Sequence, residues 1–215
     1  MDAEDSSLRS SMSTALAVPG ICAAHRLISP GDEEGLRGEE APAFAKSVTK
    51  VRCASGAARI VARTLLAEYG LPNAAVPKSN SGAPIWPQGV VGSLAHDSRV
   101  AIAAVGRRRD FIAIGVDVEP AEELPFDLID LVATPRERAI IGGVSFGGRL
   151  LFVAKEAVYK AVYSLDQTFL EPHDVEIDFA NRKGIVRNGR LVELRFCIAS
   201  HLVTLAFIPA VSMSR

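Results

Sequence analysis

The stretch IAIGVDVEP, residues 112–120, reads as a β-strand that carries two acids among apolar residues. Because side chains alternate along a strand, Asp117 and Glu119 share one face. The opposite face is apolar and carries Ile112, Ile114, Val116 and Val118. Two carboxylates about 7 Å apart on one face repel each other and raise each other's pKa. The pattern predicts a core strand whose second face holds charge that another group must neutralise.

Length and composition are those of a globular protein. The chain has 215 residues, 48% of them hydrophobic and 23% charged, which suits one large domain or two small packed halves. The net charge of −1 gives no overall attraction to nucleic acid or to an anionic membrane, so any anion site must be a local cluster of bases. No run approaches the roughly 20 apolar residues of a membrane span.

The cysteines and the N-terminal segment bear on the compartment. Cys22, Cys53 and Cys197 are odd in number and far apart, which favours reduced thiols and a cytoplasmic location. The run ALAVPGICAA, residues 15–24, has the apolar character of a short signal peptide. Three acids precede it and a Pro-Gly pair interrupts it. These features favour a flexible polar tail over 1–14, followed by a first strand.

Hydrophobic periodicity predicts mixed helices and strands along the rest of the chain. The predicted elements are helices at 49–69, 121–140 and 149–165, an antiparallel hairpin of 90–105 with 111–119, and closing strands at 174–179, 190–199 and 201–210. The pairs Lys183-Gly184 and Asn188-Gly189 predict turns between the closing strands. The proline-rich stretch 71–89 predicts a long loop, which is typical of a functional or tightly packed segment. We find no internal repeat.

Several side chains admit a structural and a functional interpretation. On the helix 49–69, Arg52, Arg59 and Arg63 share a stripe that is either a solvated basic face or an anion site. Trp86, between two prolines, is either a packing plug or a stacking surface for a ligand. His96 stands just before a strand and either caps a turn or contacts a ligand.

The acids favour a hard cation. Mg²⁺ uses one or two carboxylates and completes its coordination with water and phosphate oxygens. Glu156 is a third candidate acid, and Lys155 and Lys160 beside it suit a bound phosphate. Two alternatives stay open: Asp117 and Glu119 could end a strand in water, and Glu156 with Lys160 could be a surface pair at i,i+4.

Other chemistry has no sequence support. The chain has no GxxxxGK[ST] loop, no GxGxxG turn and no GxSxG nucleophile elbow. It also has no Cys/His cluster with the spacing of metal ligands.

The order of three motifs is more specific than any one of them. GAPIWPQGVVGSLAHDSRVAIAAV (82–105), IGVDVE (114–119) and FVAKEAVYKA (152–161) together resemble the 4′-phosphopantetheinyl transferases. The resemblance is closer to the larger monomeric type, associated with enterobactin, peptide and polyketide synthetases, than to the short trimeric type. It extends from about residue 20 to about residue 208. The acids Asp117 and Glu156 lie in its most specific part.

This resemblance implies a fold and a reaction. The fold expected is α+β, with two similar α/β halves at 15–118 and 119–215 related by a pseudo-twofold and coenzyme A between them. The reaction implied is transfer of the phosphopantetheine arm of coenzyme A to a serine of an apo carrier protein, with release of adenosine 3′,5′-bisphosphate.

The resemblance also implies roles for the acids and for a lysine. Asp117 and Glu156 match Mg²⁺ ligands at the pyrophosphate, and Glu119 matches a third ligand or a water holder. Glu156 also matches the general base for the carrier serine. Lys160 matches a lysine that steadies the transferring phosphate.

Five further residues match positions that bind coenzyme A. His96 and Lys155 match groups near the phosphates, Arg59 and Arg63 match bases that hold the 3′-phosphate, and Lys78 matches a basic loop residue. There are two departures from the family pattern. Ala95 stands where many relatives have serine, and Ala58 stands where the helix motif often has glycine.

The implied partners are apo carrier proteins or carrier domains of peptide, polyketide and fatty-acid synthetases. The protein itself is expected to be a cytoplasmic monomer. Neither nucleic acid nor a membrane span is expected. Two competing interpretations share the same residues: a Mg²⁺-dependent nucleotide pyrophosphohydrolase, and a non-catalytic module that binds coenzyme A or carrier proteins.

Overall fold

Helices and strands are interspersed along residues 3–210, the part of the chain that the computed structural model describes. The α-helices are α1 (Ala3–Ala15), α2 (Thr49–Glu68), α3 (Phe126–Val132), α4 (Pro135–Ile141) and α5 (Gly147–Asp166). The strands are β1 (Ile21–Leu27), β2 (Val90–His96), β3 (Val100–Arg107), β4 (Phe111–Pro120), β5 (Val175–Asp178), β6 (Lys183–Val186), β7 (Leu191–Ile198) and β8 (His201–Pro209). Short 3₁₀ turns lie at Asp32–Gly35, Gly38–Phe44 and Pro172–Asp174.

The strands form two antiparallel sheets, which confirms the α+β class. The first sheet has the order β1-β3-β2 and the second has the order β4-β8-β7-β6-β5. The predicted hairpin of 90–105 with 111–119 is wrong, because β3 pairs with β1 and β2 while β4 pairs with β8. The hairpin lies instead between β2 and β3. The chain crosses from one sheet to the other at the turn 108–110, ahead of the expected division at 118–119; that division into two halves stays a prediction.

Each sheet is covered by one long helix. Helix α2 packs on the first sheet and confirms the helix expected at 49–69. Helix α5 packs on the second sheet and begins at Gly147, after Phe146 in a left-handed conformation, slightly before the predicted start. Its Leu151, Val158 and Val162 are fully buried. Each such side chain contributes about 1.5–3 kcal/mol of transfer free energy.

A second apolar layer lies between the two sheets. Ile114, Val116 and Val118 of β4 belong to it, as the alternation in the sequence predicts. Ile112 does not, because the pairing of β4 with β8 shifts register between Phe111 and Ala113 and leaves Ile112 exposed.

Helix α1 also contributes to this layer. Its Leu8 and Met12 are buried there, together with Leu16, which follows the helix. The prediction of a flexible tail over 1–14 is therefore wrong for residues 3–14. Three apolar residues at helical spacing are enough to bury one face of a short helix.

The segments after β4 differ from the sequence prediction in detail. Residues 121–140 form two short helices, α3 and α4, and Thr134 caps α4 by accepting the amide of Glu137. The break before Pro135 follows because a residue that precedes proline avoids helical geometry. Lys183-Gly184 belongs to β6 and is not a turn, whereas the turn at Asn188-Gly189 is confirmed. Within residues 3–210 no helix has the length and apolar character needed to cross a membrane.

Candidate active site between β4 and α5

Gly115 allows helix α5 to lie directly against strand β4. A Cβ atom at Gly115 would be 2.0 Å from the carbonyl oxygen of Ala157, so no larger residue fits there. Asp117 and Glu119 follow at positions 2 and 4 along the same strand face, while Val116 and Val118 point into the layer between the sheets. The face that carries the acids therefore lies under the acidic and basic residues of α5.

Asp117 is paired with Lys160 of α5. The Lys160 Nζ atom donates to Asp117 Oδ1 at 2.6 Å and to the carbonyl oxygen of Val116 at 3.3 Å. Asp117 is buried, and its burial raises the pKa of the carboxyl group while the Lys160 cation opposes that rise. The alternative of a strand end in water is therefore excluded for Asp117.

Glu119 is paired with Arg149, which the sequence analysis does not single out. The Arg149 Nη1 atom donates to Glu119 Oε2 at 3.0 Å, and Nη2 donates to the carbonyl oxygen of Glu123 at 3.2 Å. Burial and the charge of Asp117 raise the pKa of Glu119, and the guanidinium opposes that rise. The spacing of Arg149, Glu156 and Lys160 by seven and four residues places them on one helix face, and this signal was available in the sequence.

Glu156 is the acid of the site that stays unpaired. Among residues 3–210 no group forms a hydrogen bond or an ion pair with its half-buried carboxylate, and Lys160 turns to Asp117 instead. The predicted alternative of a surface pair between Glu156 and Lys160 is therefore wrong. Burial and the nearby charge of Asp117 raise the pKa of Glu156, with Lys160 opposing. A carboxylate with a raised pKa and a free oxygen is suited to accept a proton.

The donor set fits a hard cation only in part. Asp117, Glu119 and Glu156 offer carboxylate oxygens, which are the ligands that Mg²⁺ prefers. Across the described range, however, no three acidic, histidine or cysteine side chains stand together as a ready metal site. Because Mg²⁺ takes only one or two carboxylates when phosphates complete its coordination, the residues fit a cation that arrives with a phosphate ester.

A cleft of about 600 Å³ opens beside this site. One wall is the loop 78–86, another is β2, and a third is α5. Lys78 and Trp86 line the cleft together with Lys160 of the site. The residues of α5 that line it are Tyr159, Lys160, Tyr163 and Ser164, and Gln167 directly after the helix also lines it. Its mixture of aromatic walls and cationic groups can hold an extended ligand that ends in phosphate.

Trp86 packs against the first sheet, as the structural interpretation predicts, and its role as a stacking surface for a ligand stays a prediction. Its ring lines the cleft and also packs on Gly92, where an added Cβ would be 2.8 Å from the ring. Its Nε1 atom is buried without a hydrogen-bond partner in the described part of the chain.

His96 reaches the site from the first sheet. It ends β2, is exposed, and is close enough to Lys160 and Asp117 for their charges to act on its ring. The structure thus brings His96, from the first sheet, toward Asp117 of the second sheet and Lys160 of α5, and it places Lys78 in the same cleft as Lys160.

The two arginines expected at the 3′-phosphate lie in the interior. Arg63 donates to both carboxylate oxygens of buried Glu40, at 2.9 and 3.0 Å. Arg59 donates to the carbonyl oxygens of Val76 and Ser55, and its guanidinium lies 4.7 Å from the ring centre of Phe44. Burial lowers the pKa of Arg59. The solvated-face interpretation is wrong for these two arginines, because both side chains are buried. Neither of them lines the cleft, and their role at the 3′-phosphate stays a prediction.

Lys155 is also directed away from the site. Its Nζ atom donates to Glu137 Oε2 at 2.7 Å and to the carbonyl oxygens of Val132 and Pro172, each at 2.8 Å. Burial lowers the pKa of Lys155 while Glu137 opposes that change. All three protons of the ammonium group are used, so the predicted contact with coenzyme A has no support in the placement of this side chain.

Two family models match the chain. Residues 39–106 match the 4'-phosphopantetheinyl transferase N-terminal domain, and residues 113–206 match the 4'-phosphopantetheinyl transferase superfamily. The second match spans β4 to β8 and contains the three candidate acids.

Curated relatives agree with these matches. The chain is 40% identical over 173 residues to the 4'-phosphopantetheinyl transferase Npt of Nocardia iowensis, covering 79% of this chain and 78% of that protein. It is 40% identical over 145 residues to the 4'-phosphopantetheinyl transferase PptT of Mycobacterium tuberculosis, covering 66% of this chain and 64% of that protein. It is 35% identical over 112 residues to enterobactin synthase component D of Salmonella typhi, covering 49% and 45%.

Proposed function

Because the chain belongs to the 4′-phosphopantetheinyl transferase superfamily and transfers phosphopantetheine arms to carrier proteins, we propose that its donor is coenzyme A and that the reaction requires Mg²⁺. The second product is adenosine 3′,5′-bisphosphate. The acceptors are apo carrier proteins or carrier domains of peptide, polyketide and fatty-acid synthetases.

One observation carries the proposal. Glu156 and Lys160 stand side by side on α5, at the edge of a cleft large enough for an extended ligand. The carboxylate of Glu156 is unpaired among residues 3–210, whereas the ammonium group of Lys160 pairs with Asp117 of β4. Phosphoryl-group transfer needs positioning and charge stabilisation more than covalent help from the protein. A base for the attacking hydroxyl and a cation for the phosphate are the two elements that this arrangement supplies.

The chemical step then assigns a role to each group. The serine oxygen of the carrier attacks the phosphorus that bears the pantetheine arm, and the bond from that phosphorus to the oxygen of adenosine 3′,5′-bisphosphate breaks. Glu156 accepts the serine proton, which its raised pKa favours. Lys160 stabilises the negative charge that spreads over the phosphoryl oxygens.

A bound Mg²⁺ ion would be held by the carboxylates of β4 and α5. Asp117 and Glu156 would bind Mg²⁺, and Glu119 would bind it directly or orient a water molecule. When bound, Mg²⁺ neutralises the pyrophosphate oxygens and makes the bisphosphate a better leaving group. Arg149 donates to Glu119 Oε2 and so restrains this carboxylate.

The remaining coenzyme A contacts lie along the cleft. His96 and Lys78 are proposed to bind phosphate groups, since Lys78 lines the cleft and His96 lies near Lys160. The side chains of Trp86, Tyr159 and Tyr163 supply an apolar wall for the pantetheine arm. Arg59 and Arg63 are proposed instead to hold the backbone around the loop that carries Lys78.

We further propose that the first sheet with α2 and the second sheet with α5 are the two similar halves that the family resemblance implies, related by a pseudo-twofold. Support comes from their common plan: a 20-residue helix, α2 or α5, lies on an antiparallel sheet in each. The chain is proposed to act as a monomer in the cytoplasm, where the free thiols of Cys22, Cys53 and Cys197 stay reduced.

The test is the intact mass of apo carrier proteins after incubation with the chain, coenzyme A and Mg²⁺. The panel contains peptide-synthetase, polyketide and fatty-acid carriers, with EDTA and the Glu156→Gln variant as controls. A gain of one phosphopantetheinyl arm that requires both the metal and Glu156 is expected.

Two other outcomes would reject the proposal. Binding of coenzyme A with no gain on any carrier would favour a binding module. Degradation of coenzyme A without a carrier would favour a nucleotide pyrophosphohydrolase.

A further inference from the structure

A buried histidine–aspartate pair joins the two sheets directly behind the site. His201 begins β8, and its Nε2 atom lies 3.1 Å from Oδ2 of Asp97, which follows His96 in the turn between β2 and β3. The two side chains are only 2% and 5% exposed. Their alignment falls short of a regular hydrogen bond, yet neither atom has another partner among residues 3–210. The contact is therefore an isolated polar link across an apolar layer.

The Asp97 end of this link is fixed by the backbone. Asp97 Oδ1 accepts the amides of Arg99 and Val100, each at 2.6 Å, and so closes the β2–β3 turn. Burial opposes ionisation of Asp97, but the contact with His201 and the two amides outweigh it and lower its pKa. The turn that presents His96 thus holds a carboxylate on its inner side.

The His201 end is fixed to the strand that carries Glu119. In the pairing of β4 with β8, His201 stands opposite Pro120 and Leu202 stands opposite Glu119. Ser200 Oγ lies 3.2 Å from His201 Nδ1 and can donate to it, which leaves the ring proton on Nε2, facing Asp97. A short path of contacts therefore leads from His96 through this pair to Glu119.

We propose that Asp97 and His201 are positioning residues that fix the separation between His96 and the carboxylates of β4. The inference rests on the proposed function, because it treats His96 and those carboxylates as parts of one site for coenzyme A. The groups come from different sheets, so a ligand held by both depends on how the sheets are spaced. An error of about 1 Å in such spacing can cost roughly 100-fold in rate.

A purely structural pair would behave differently. Its loss would lower the free energy of unfolding and leave the kinetic constants of the folded enzyme unchanged. The chain offers a matched control in His25 of β1, whose Nε2 atom lies 2.9 Å from Asp5 Oδ1 of α1. That histidine is equally buried and lies near enough to His201 for the two rings to interact electrostatically, but it pairs with Asp5 and does not adjoin a candidate site residue in the sequence or in the sheet pairing.

The experiment compares His201→Leu, His201→Gln and His25→Leu with the wild type. Glutamine keeps an N–H donor near the position of Nε2, whereas leucine removes it. Each variant is assayed for kcat and KM for coenzyme A on an apo carrier, for coenzyme A affinity by calorimetry, and for its melting temperature. We expect His201→Leu to lower kcat/KM by about 10–100-fold, mainly through KM. His201→Gln should restore most of that loss, and His25→Leu should lower only the melting temperature.

A wild-type kcat/KM in folded His201→Leu would overturn the inference, as would an equal loss in His201→Gln or in His25→Leu. If His201→Leu does not fold, Asp97→Asn tests the same link, because asparagine keeps the oxygen that closes the turn and loses the charge that faces His201. If the wild type transfers nothing, the proposed function fails, but the affinities for coenzyme A still decide whether the pair positions its site.

Discussion

Lys160 Nζ lies 2.6 Å from Asp117 Oδ1, and this ion pair joins α5 to β4 at the edge of the cleft. The charge that the strand sequence leaves without compensation is thus met within the protein, by Lys160 at Asp117 and by Arg149 at Glu119. A metal ion with its phosphate ligand can then share these carboxylates with Lys160 and Arg149, which already neutralise them.

The first prediction concerns Lys160. We expect Lys160→Gln to lower kcat by about 100–1,000-fold, because a fixed cation that stabilises transition-state charge is lost. Transfer to a carrier, followed by intact mass, measures the effect. The control is Lys183→Gln, since Lys183 pairs with Glu193 at 3.5 Å on the surface. Equal rates for the two variants would remove Lys160 from the mechanism.

The second prediction concerns Glu156. We expect Glu156→Gln to lower kcat by about 100–10,000-fold through loss of the general base. Its melting temperature should equal or exceed that of the wild type, because the change removes a half-buried charge that Asp117 repels and breaks no hydrogen bond within residues 3–210. Calorimetric melting and a transfer assay test both statements. A turnover like that of the wild type would refute the assignment of the base.

The third prediction concerns Lys155. We expect Lys155→Met to lower the free energy of unfolding by about 3–5 kcal/mol, because buried Glu137 would lose its counter-charge. The KM for coenzyme A of the folded variant should not change. Urea unfolding and steady-state kinetics measure the two effects. The opposite pattern, a raised KM with unchanged stability, would show that the family resemblance describes Lys155 better than its buried network does.

The fourth prediction concerns pH. Burial lowers the pKa of His25 below its ordinary 6.5, although Asp5 opposes that shift; Arg9 and His201 also face the ring and lower it further. Below about pH 6.5 the unfolded chain therefore binds a proton more readily than the folded chain does. The contribution of His25 to the free energy of unfolding is fully present above about pH 6.5 and is lost as the pH drops toward the folded pKa.

Urea unfolding at pH values on both sides of 6.5 measures this slope in the wild type and in His25→Gln. We expect a shallower slope in the variant, because glutamine does not titrate. Identical slopes would assign the pH dependence to other groups.

Much of the candidate site was predictable because its signals are local. Alternation along a strand placed Asp117 and Glu119 on one face, and helical spacing placed Glu156 beside Lys160. These patterns depend only on the two- and 3.6-residue periods of backbone geometry. Local signals could not distinguish the partner of Lys160, however, since an i,i+4 neighbour and a carboxylate on another element suit a lysine equally well.

The errors share a cause. The stripe of Arg59 and Arg63 looks the same in the sequence whether it faces water or a buried carboxylate, and Glu40 lies 23 residues before Arg63. Likewise, nothing near Lys155 marks Glu137, which precedes it by 18 residues. The hairpin of β3 with β4 was expected because adjacent strands often pair, but β4 finds β8 instead.

The sequence by itself determined the α+β class, the two long helices, and the motif order that identifies the transferase family. The tertiary structure alone decided which charged groups face the cleft and which are buried, and it alone brought Asp97 of the first sheet to His201 of the second. The physical reason is that periodicity fixes the face on which a side chain lies, whereas the free energy of burying a charge depends on a partner that only the folded chain brings near.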